Sequence, residues 1–359
     1  MTVRHQAPEP SQPRVTGVLN DASEAGGTAA GLVPRREDGA PARGRGRRTP
    51  GSRKPRNPGR ASAARLLSRG SKLTMWAGLA LALVAYILFG LVPLAGNLVI
   101  SLTNYSSLAG STTNFTGFAN YVSLMTTEHD GFIASLQATV IFVVGVTILQ
   151  NALALMVAHR LQGEGKINSL LRTFVFLPVV LGVTIVGLIW ILVFNPQEGP
   201  AASLFGAFGL HPAFFGSNTA AMPLVIGVQI WQNLGFSTLI FIGGLRAINP
   251  DIYEAASLDG IGAWQRLRRI TFPLLAPTVT ANVLFAVVGS FTTYNLIYVL
   301  TDGQYNTDTL GLLAFNSAFG QSANLGLGAA VSIVLFVFTL IVALPLMAWL
   351  RHRERRLVS

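Results

Sequence analysis

The chain has 359 residues, 51% of them hydrophobic and only 11% charged. That balance excludes an ordinary soluble domain and describes an integral membrane protein; the lack of cysteine excludes disulfides, iron–sulfur clusters and thiolate zinc sites. The net charge of +11 would suit a nucleic-acid binder, but where the basic residues fall argues for membrane topology instead.

Residues 1–70 are dominated by Pro, Gly, Ser, Ala and Arg and lack apolar runs. Such a segment cannot bury enough surface to offset its chain entropy, so it reads as a disordered, basic cytoplasmic tail. Its cluster of Arg43, Arg45, Arg47, Arg48, Arg53, Lys54 and Arg56 suits contact with anionic headgroups. No aromatic residue is interleaved for base stacking, so no nucleic-acid partner is expected.

Residues 71–359 form the membrane part. A helix needs about 20 apolar residues to cross a bilayer, and six stretches reach that length. They are Met75–Leu102, Phe132–Ala158, Thr173–Phe194, Ala221–Leu245, Leu274–Leu300 and Leu325–Leu350. No Lys or Arg occurs over 103–131, 195–220 or 301–324. Arg160, Lys166 and Arg172 fill one intervening loop, Arg246, Arg266, Arg268 and Arg269 the other. Arg351, Arg353, Arg355 and Arg356 follow the last span, and the remaining basic residues precede the first. All cations therefore share one side, and the positive-inside rule makes that side, with both termini, cytoplasmic.

The spans contain neither carboxylates nor basic groups, so an ion- or proton-driven carrier has no relay here. No G-x-x-x-x-G-K-[ST] loop is present, since Gly165-Lys166 continues with Ile, so the chain hydrolyses no ATP itself. His129, His159, His211 and His352 lack metal-ligand spacing, and no metal or catalytic residue is expected. Pro93 and Pro178 are expected to kink their helices. Uncharged polar residues do enter the spans. Gln229, Gln232 and Asn233 stand in the fourth with Trp231 and Phe236; Ser290, Thr292, Thr293, Tyr294 and Asn295 stand in the fifth. At membrane depth these groups need an interior partner or a wet cavity. Hydroxyls and amides beside aromatic rings suit a sugar, with Trp190, Trp231 and Tyr294 as candidate platforms, but interhelical hydrogen bonding explains them equally.

The longest polar break late in the chain covers residues 246–273. Asn249 can cap a helix, Pro250 suits its first position, and Asp251 complements the positive end of the dipole. A short helix from Pro250 to Asp259 follows, kept flat-sided by Ala255 and Ala256 and ended at Gly260 by a left-handed turn. Such a helix suits docking into a groove on another protein.

Glu254-Ala255-Ala256, then Gly260, then Ile270 and Pro273, resembles the EAA loop of ABC-importer permeases, with Phe272 where Leu is usual. Phe115-Thr116-Gly117-Phe118, Phe176-Leu177-Pro178, Phe194-Asn195-Pro196 and Tyr298-Val299-Leu300-Thr301 extend the resemblance from Trp76 to the C-terminus. It is strongest to the carbohydrate-uptake permeases of the MalF type. The resemblance implies an all-α integral membrane protein of six transmembrane helices with the MetI-like permease fold, not an enzyme, in the cell membrane. It implies ATPase coupling through Glu254, Ala255, Ala256, Asp259, Gly260 and Pro273, and a substrate pathway at Gln229, Gln232, Asn233, Phe236, Gly289 and Thr293. Several pathway positions differ from the maltose-specific pattern, while a sugar or oligosaccharide remains the implied cargo. The implied partners are a second homologous permease, a cytoplasmic ABC ATPase dimer that uses the ATP, an extracytoplasmic sugar-binding protein and the bilayer. The competing readings are a nucleotide-independent carrier or channel, and the same machine with a non-sugar cargo.

Overall fold

The computed structural model describes residues 74–107, 111–321 and 323–358; the expected tail over 1–70 lies outside them. Among the described residues the chain is helical, and its extended pairings are two isolated bridges, Thr103 with Phe115 and Ser106 with Asn324.

The first span is α1 (Thr74–Ser101), 28 residues long, and none of its most apolar window is buried against this chain. The side chains of its first half are left for lipid or for another subunit, while Val92–Ser101 packs on the last helix of the chain. A wide π-turn at Ile87–Leu91 leads directly into Pro93, which has no N–H to give and whose ring displaces the carbonyl one turn back. A short helix α2 (Ala119–Met125) precedes α3 (His129–Leu161). Along α3, Phe142, Val146, Gln150, Ala154, Ala158 and Leu161 are buried at steps of three or four residues, which is one helical face. That face packs on α7 (Ala221–Arg246), the most extensive helix pair in the fold.

The third expected span is not one straight helix. It is α4 (Lys166–Val180) and α5 (Val183–Val193), bent by 101° at the break between them. Pro178 ends the first piece, and Leu181 takes an extended backbone with φ −73° and ψ 137°. α4 then runs against α7, where Gly235 comes so close that an added Cβ would meet the Val175 carbonyl and the Phe176 backbone. Lipid tails are as apolar as the side chains, so this contact between backbones supplies attraction that hydrophobicity cannot.

Past Asn195, α6 (Pro200–Gly206) and a 3-10 turn at Phe214–Gly216 lead into α7. The polar break then forms α8 (Pro250–Leu258) and α9 (Ala263–Leu274), and α9 bends by 71° into α10 (Ala276–Thr292). The fifth expected span is thus also broken, because α10 ends at Thr292 and α11 (Asn295–Thr301) restarts after it. The polar run Thr292–Asn295, which competes for backbone hydrogen bonds, falls at that break. The expected loop over 301–324 contains a ten-residue helix, α12 (Leu310–Phe319), packed on α13 (Leu325–Val358). Leu310 and Leu312 are fully buried, which sequence length alone did not reveal.

Two apolar clusters hold the centre. Phe142, Val186, Val225, Leu296 and Ile297 join α3, α5, α7 and α11. Ala154, Ala158, Phe241, Leu245 and Leu275 join α3 and α7 to the start of α10, toward the end that carries Arg246.

Candidate functional site

The polar segment is assembled locally. Asn249 sits at φ −60° and ψ 125°, outside the helix, and its Oδ1 accepts from the Asp251 backbone N–H at 3.1 Å. Its Nδ2 donates to Asp251 Oδ2 at 3.1 Å, fixing the cap side chain. At the other end Gly260 has φ +71°. Gly260 N donates to Ser257 O at 3.2 Å and Ile261 N to Ala256 O at 3.0 Å, the paired bonds of a Schellman ending. Nothing lies within 4 Å of a Cβ built on Gly260, so the demand for glycine there is conformational.

Glu254, Ala255 and Asp259 are exposed on this helix, whereas Ala256 is buried at 4% exposure. Ala256 therefore faces its own chain, and the flat outward side consists of Ala255 alone. Leu258, which the sequence reading passed over, is 90% exposed beside it. Its only signal was an apolar residue directly before the cap. Behind the helix, Tyr253 Oη lies 3.2 Å from Thr271 Oγ1, and the Arg266 guanidinium lies over the Tyr253 ring at 5.9 Å. These contacts join α8 to α9, which carries the half-buried Pro273.

The polar residues of the spans converge differently. A cavity of about 170 Å³ opens between α3, α7 and α10, lined by Gln150, Gln229, Asn233, Phe236, Ser237, Phe285, Ala286, Gly289 and Ser290. Four of the six expected pathway residues, Gln229, Asn233, Phe236 and Gly289, meet there. Thr293 stands at its edge, where its Oγ1 accepts from Gln229 Nε2 at 3.5 Å. Gln232 does not join them. It is 6% exposed and donates to the Leu181 carbonyl at 3.3 Å, satisfying the backbone freed at the α4–α5 break. The rings beside the cavity are Phe236 and Phe285, edge to face at 6.0 Å. The expected platforms lie elsewhere: Trp190 packs on Trp231 and Phe194, and Tyr294 stacks on Phe315 at 5.1 Å. Gln150, Ser237, Phe285 and Ala286 were missed. An amide at Gln150 inside an apolar span was the one available signal.

A half-buried carboxyl, Asp308, lies in the connection from α11 to α12, outside the spans. Asp308 Oδ2 accepts from Ser135 Oγ at 3.1 Å, and its Oδ1 is buried without a partner. Burial pushes this carboxyl up to about 6; the Ser135 bond lowers it and the neighbouring Asp302 charge raises it.

Helices of spanning length, two bent pairs and a capped polar helix between α7 and α10 define a polytopic membrane protein. Residues 150–359 match the family described as binding-protein-dependent transport system inner membrane component, and the chain belongs to it. The chain is 32% identical over 239 residues to the sn-glycerol-3-phosphate transport system permease protein UgpA of Agrobacterium fabrum, covering 64% of this chain and 79% of that one. It is 30% identical over 271 residues to the multiple sugar-binding transport system permease protein MsmF of Streptococcus mutans, covering 75% of this chain and 92% of that one. Its fold matches a chain of a bacterial alginate ABC transporter, solved with an alginate pentasaccharide-bound periplasmic protein. The TM-score is 0.68 at 21% identity, over 81% of this chain and 96% of that one. The chain is accordingly a multi-pass membrane permease of an ABC importer that works with a binding protein. It is a transport subunit and not an enzyme.

Proposed function

We propose that this permease passes a neutral sugar or oligosaccharide through the cavity beside Gln229, Asn233 and Gly289, received from an extracytoplasmic binding protein. The observation that carries this is the composition of the cavity lining: amides and hydroxyls next to two phenyl rings, and no charged residue. Donors and acceptors fit sugar hydroxyls, and the rings offer apolar faces to its C–H side. A relative named for glycerol phosphate raises a phosphorylated cargo as the second reading. Phosphate recognition calls for Arg or Lys, and neither occurs in the spans or over 103–131, 195–220 and 301–324.

The cavity volume of about 170 Å³ lies below the roughly 300–1,000 Å³ common for ligand sites. A second, homologous permease against the open side would complete it. The α8 segment, with Glu254, Ala255, Asp259, Gly260 and the exposed Leu258, seats on a cytoplasmic ATPase dimer, with Pro273 holding the turn behind it. ATP is bound and used by those subunits. The basic loops and both termini lie in the cytoplasm, following the one-sided distribution of Lys and Arg. Closing of the ATPase dimer moves α8, and the permease pair rocks between its two openings.

The complex in proteoliposomes, supplied with its binding protein, tests the cargo: ATP-dependent accumulation of radiolabelled neutral oligosaccharides is expected. Equal uptake without nucleotide, or uptake confined to phosphorylated compounds, would overturn the reading. Cysteines at Asn114, Ser217 and Gln304 should react with an impermeant thiol reagent from outside, and one at Ser257 only after permeabilisation.

A further inference from the structure

We infer that Gln150 on α3, Ser237 on α7 and Ser290 on α10 form a hydrogen-bonding floor to the cavity that takes hydroxyl groups of the passing cargo. Asn282 holds that floor from behind. The inference rests on the pathway reading above and extends the site onto α3, which contributes no expected pathway residue. Gln150 Nε2 donates to Ser237 Oγ at 2.7 Å, across 87 positions of sequence. Asn282 is fully buried, and its Nδ2 donates to the Ser237 carbonyl at 3.3 Å. Three helices thus converge on one serine, whose position they fix.

Bonding between helices accounts for that convergence and leaves other groups unexplained. Ser290 lines the cavity at 3% exposure, and its Oγ has no partner. Ser237 accepts from Gln150, which leaves its own O–H to donate. Buried hydroxyls are almost always paired, and lipid offers no substitute partner. The space beside them, about 170 Å³, is large enough for several waters or a guest. A guest that both donates and accepts through neutral groups, and packs C–H groups against Phe236 or Phe285, is a polyhydroxylated one. An ion would find no opposite charge in the lining.

The chain has no cysteine, so a single introduced thiol is the only one in this subunit. In the full complex without nucleotide, a small cationic methanethiosulfonate is expected to modify both Gln150→Cys and Asn233→Cys. Modification of Asn233→Cys alone would remove the floor and leave the pathway intact; modification of neither would remove both. Uptake kinetics give the second measurement, with labelled maltose, trehalose and raffinose as probes. Gln150→Leu is expected to raise KM about tenfold for the imported probes with kcat held within about twofold, and Gln150→Asn to recover part of the loss. An unchanged KM, or a fall in kcat matched by loss of assembled complex, would overturn the floor. Failure of the unsubstituted complex to import any of the three would overturn the sugar reading together with it.

Discussion

In the segment Asn249–Gly260 each structural decision is made within a few residues. Asn249 reaches Asp251, Pro250 fixes the first turn, and Gly260 and Ile261 return hydrogen bonds to Ser257 and Ala256. In the cavity, Gln150 reaches Ser237 across 87 positions and Gln229 reaches Thr293 across 64. The first region is a self-specified part presented to something outside the chain. The second exists only when three helices, α3, α7 and α10, have packed. Local chemistry can therefore be altered in α8 without moving the spans, while a change in the cavity risks both function and packing.

The sharpest break in that comparison is at Gly260. Its φ of +71° opposes any side chain with a Cβ by roughly 1–2 kcal/mol, and a charged side chain would also stand where the ATPase is proposed to seat. Gly260→Asp and Glu254→Lys should abolish sugar-dependent ATP hydrolysis and uptake while the permease still inserts and assembles. Purified complex carrying either change and still coupling at the normal rate would remove the docking role. A smaller loss is expected in the cavity. Asn233→Leu removes an amide from the lining and should lower kcat/KM for sugar uptake about tenfold, the size of one hydrogen bond lost to a polar cargo. If the complex instead dissociates, Asn233 serves packing, and the contrast between the two regions becomes one of folding.

The same contrast explains what could be read from the residues. The capped helix, its glycine stop and the span count were legible because they follow from periodicity, composition and cap chemistry. The kink at Pro178 was legible in that residue but its size of 101° was not, and neither the 71° bend before Ala276 nor the helix α12 was. A 101° break after Pro178 and a fully buried Leu310 both depend on what packs against them. Gln229, Gln232, Asn233, Phe236 and Gly289 were placed together by resemblance, and of these Gln232 lies outside the cavity lining. Gln229, Asn233 and Phe236 share a helical face at steps of three and four, but Gln232 stands at the same steps from Gln229 and Phe236, so spacing does not separate it; its bond to the broken backbone at Leu181 does. Gln150 stayed hidden because nothing in its neighbourhood marks which helix will oppose it.

Asp308 belongs to the non-local side of the comparison, since its partner Ser135 is 173 positions away. Its folded value of about 6 lies above the ordinary 3.8. The unfolded chain therefore releases this proton first, and stability falls as pH rises from about 4 to about 6, then stays at the lower level. At the usual value per unit the contribution is at most about 3 kcal/mol. Asp308→Asn should raise the Tm of the purified complex at pH 8, change it little at pH 4.5, and flatten the pH dependence between. A Tm that falls at pH 8 would mean that the charged carboxylate finds a cation in the assembled complex.

The smallest effect is expected at the other end of α8 from Gly260, and it tests whether that helix is as self-contained as its hydrogen bonds imply. Asn249→Ala removes the side-chain oxygen that accepts from Asp251 N–H, a loss of about 1 kcal/mol at an N-cap. That is about a fivefold drop in the local helix equilibrium. Tyr253 near Thr271 still ties α8 to α9, and Ala256 stays buried, so most of the population should remain helical. Uptake should therefore fall no more than about twofold, with the loss growing on warming as the helix end frays. Asn249→Asp and Asn249→Ser keep a capping oxygen and should behave like the natural residue, which separates capping from any direct contact between Asn249 and the ATPase. If Asn249→Ala matches Gly260→Asp in severity while Asn249→Ser does not rescue it, Asn249 is itself part of the docking surface, and α8 is not the locally defined element described here.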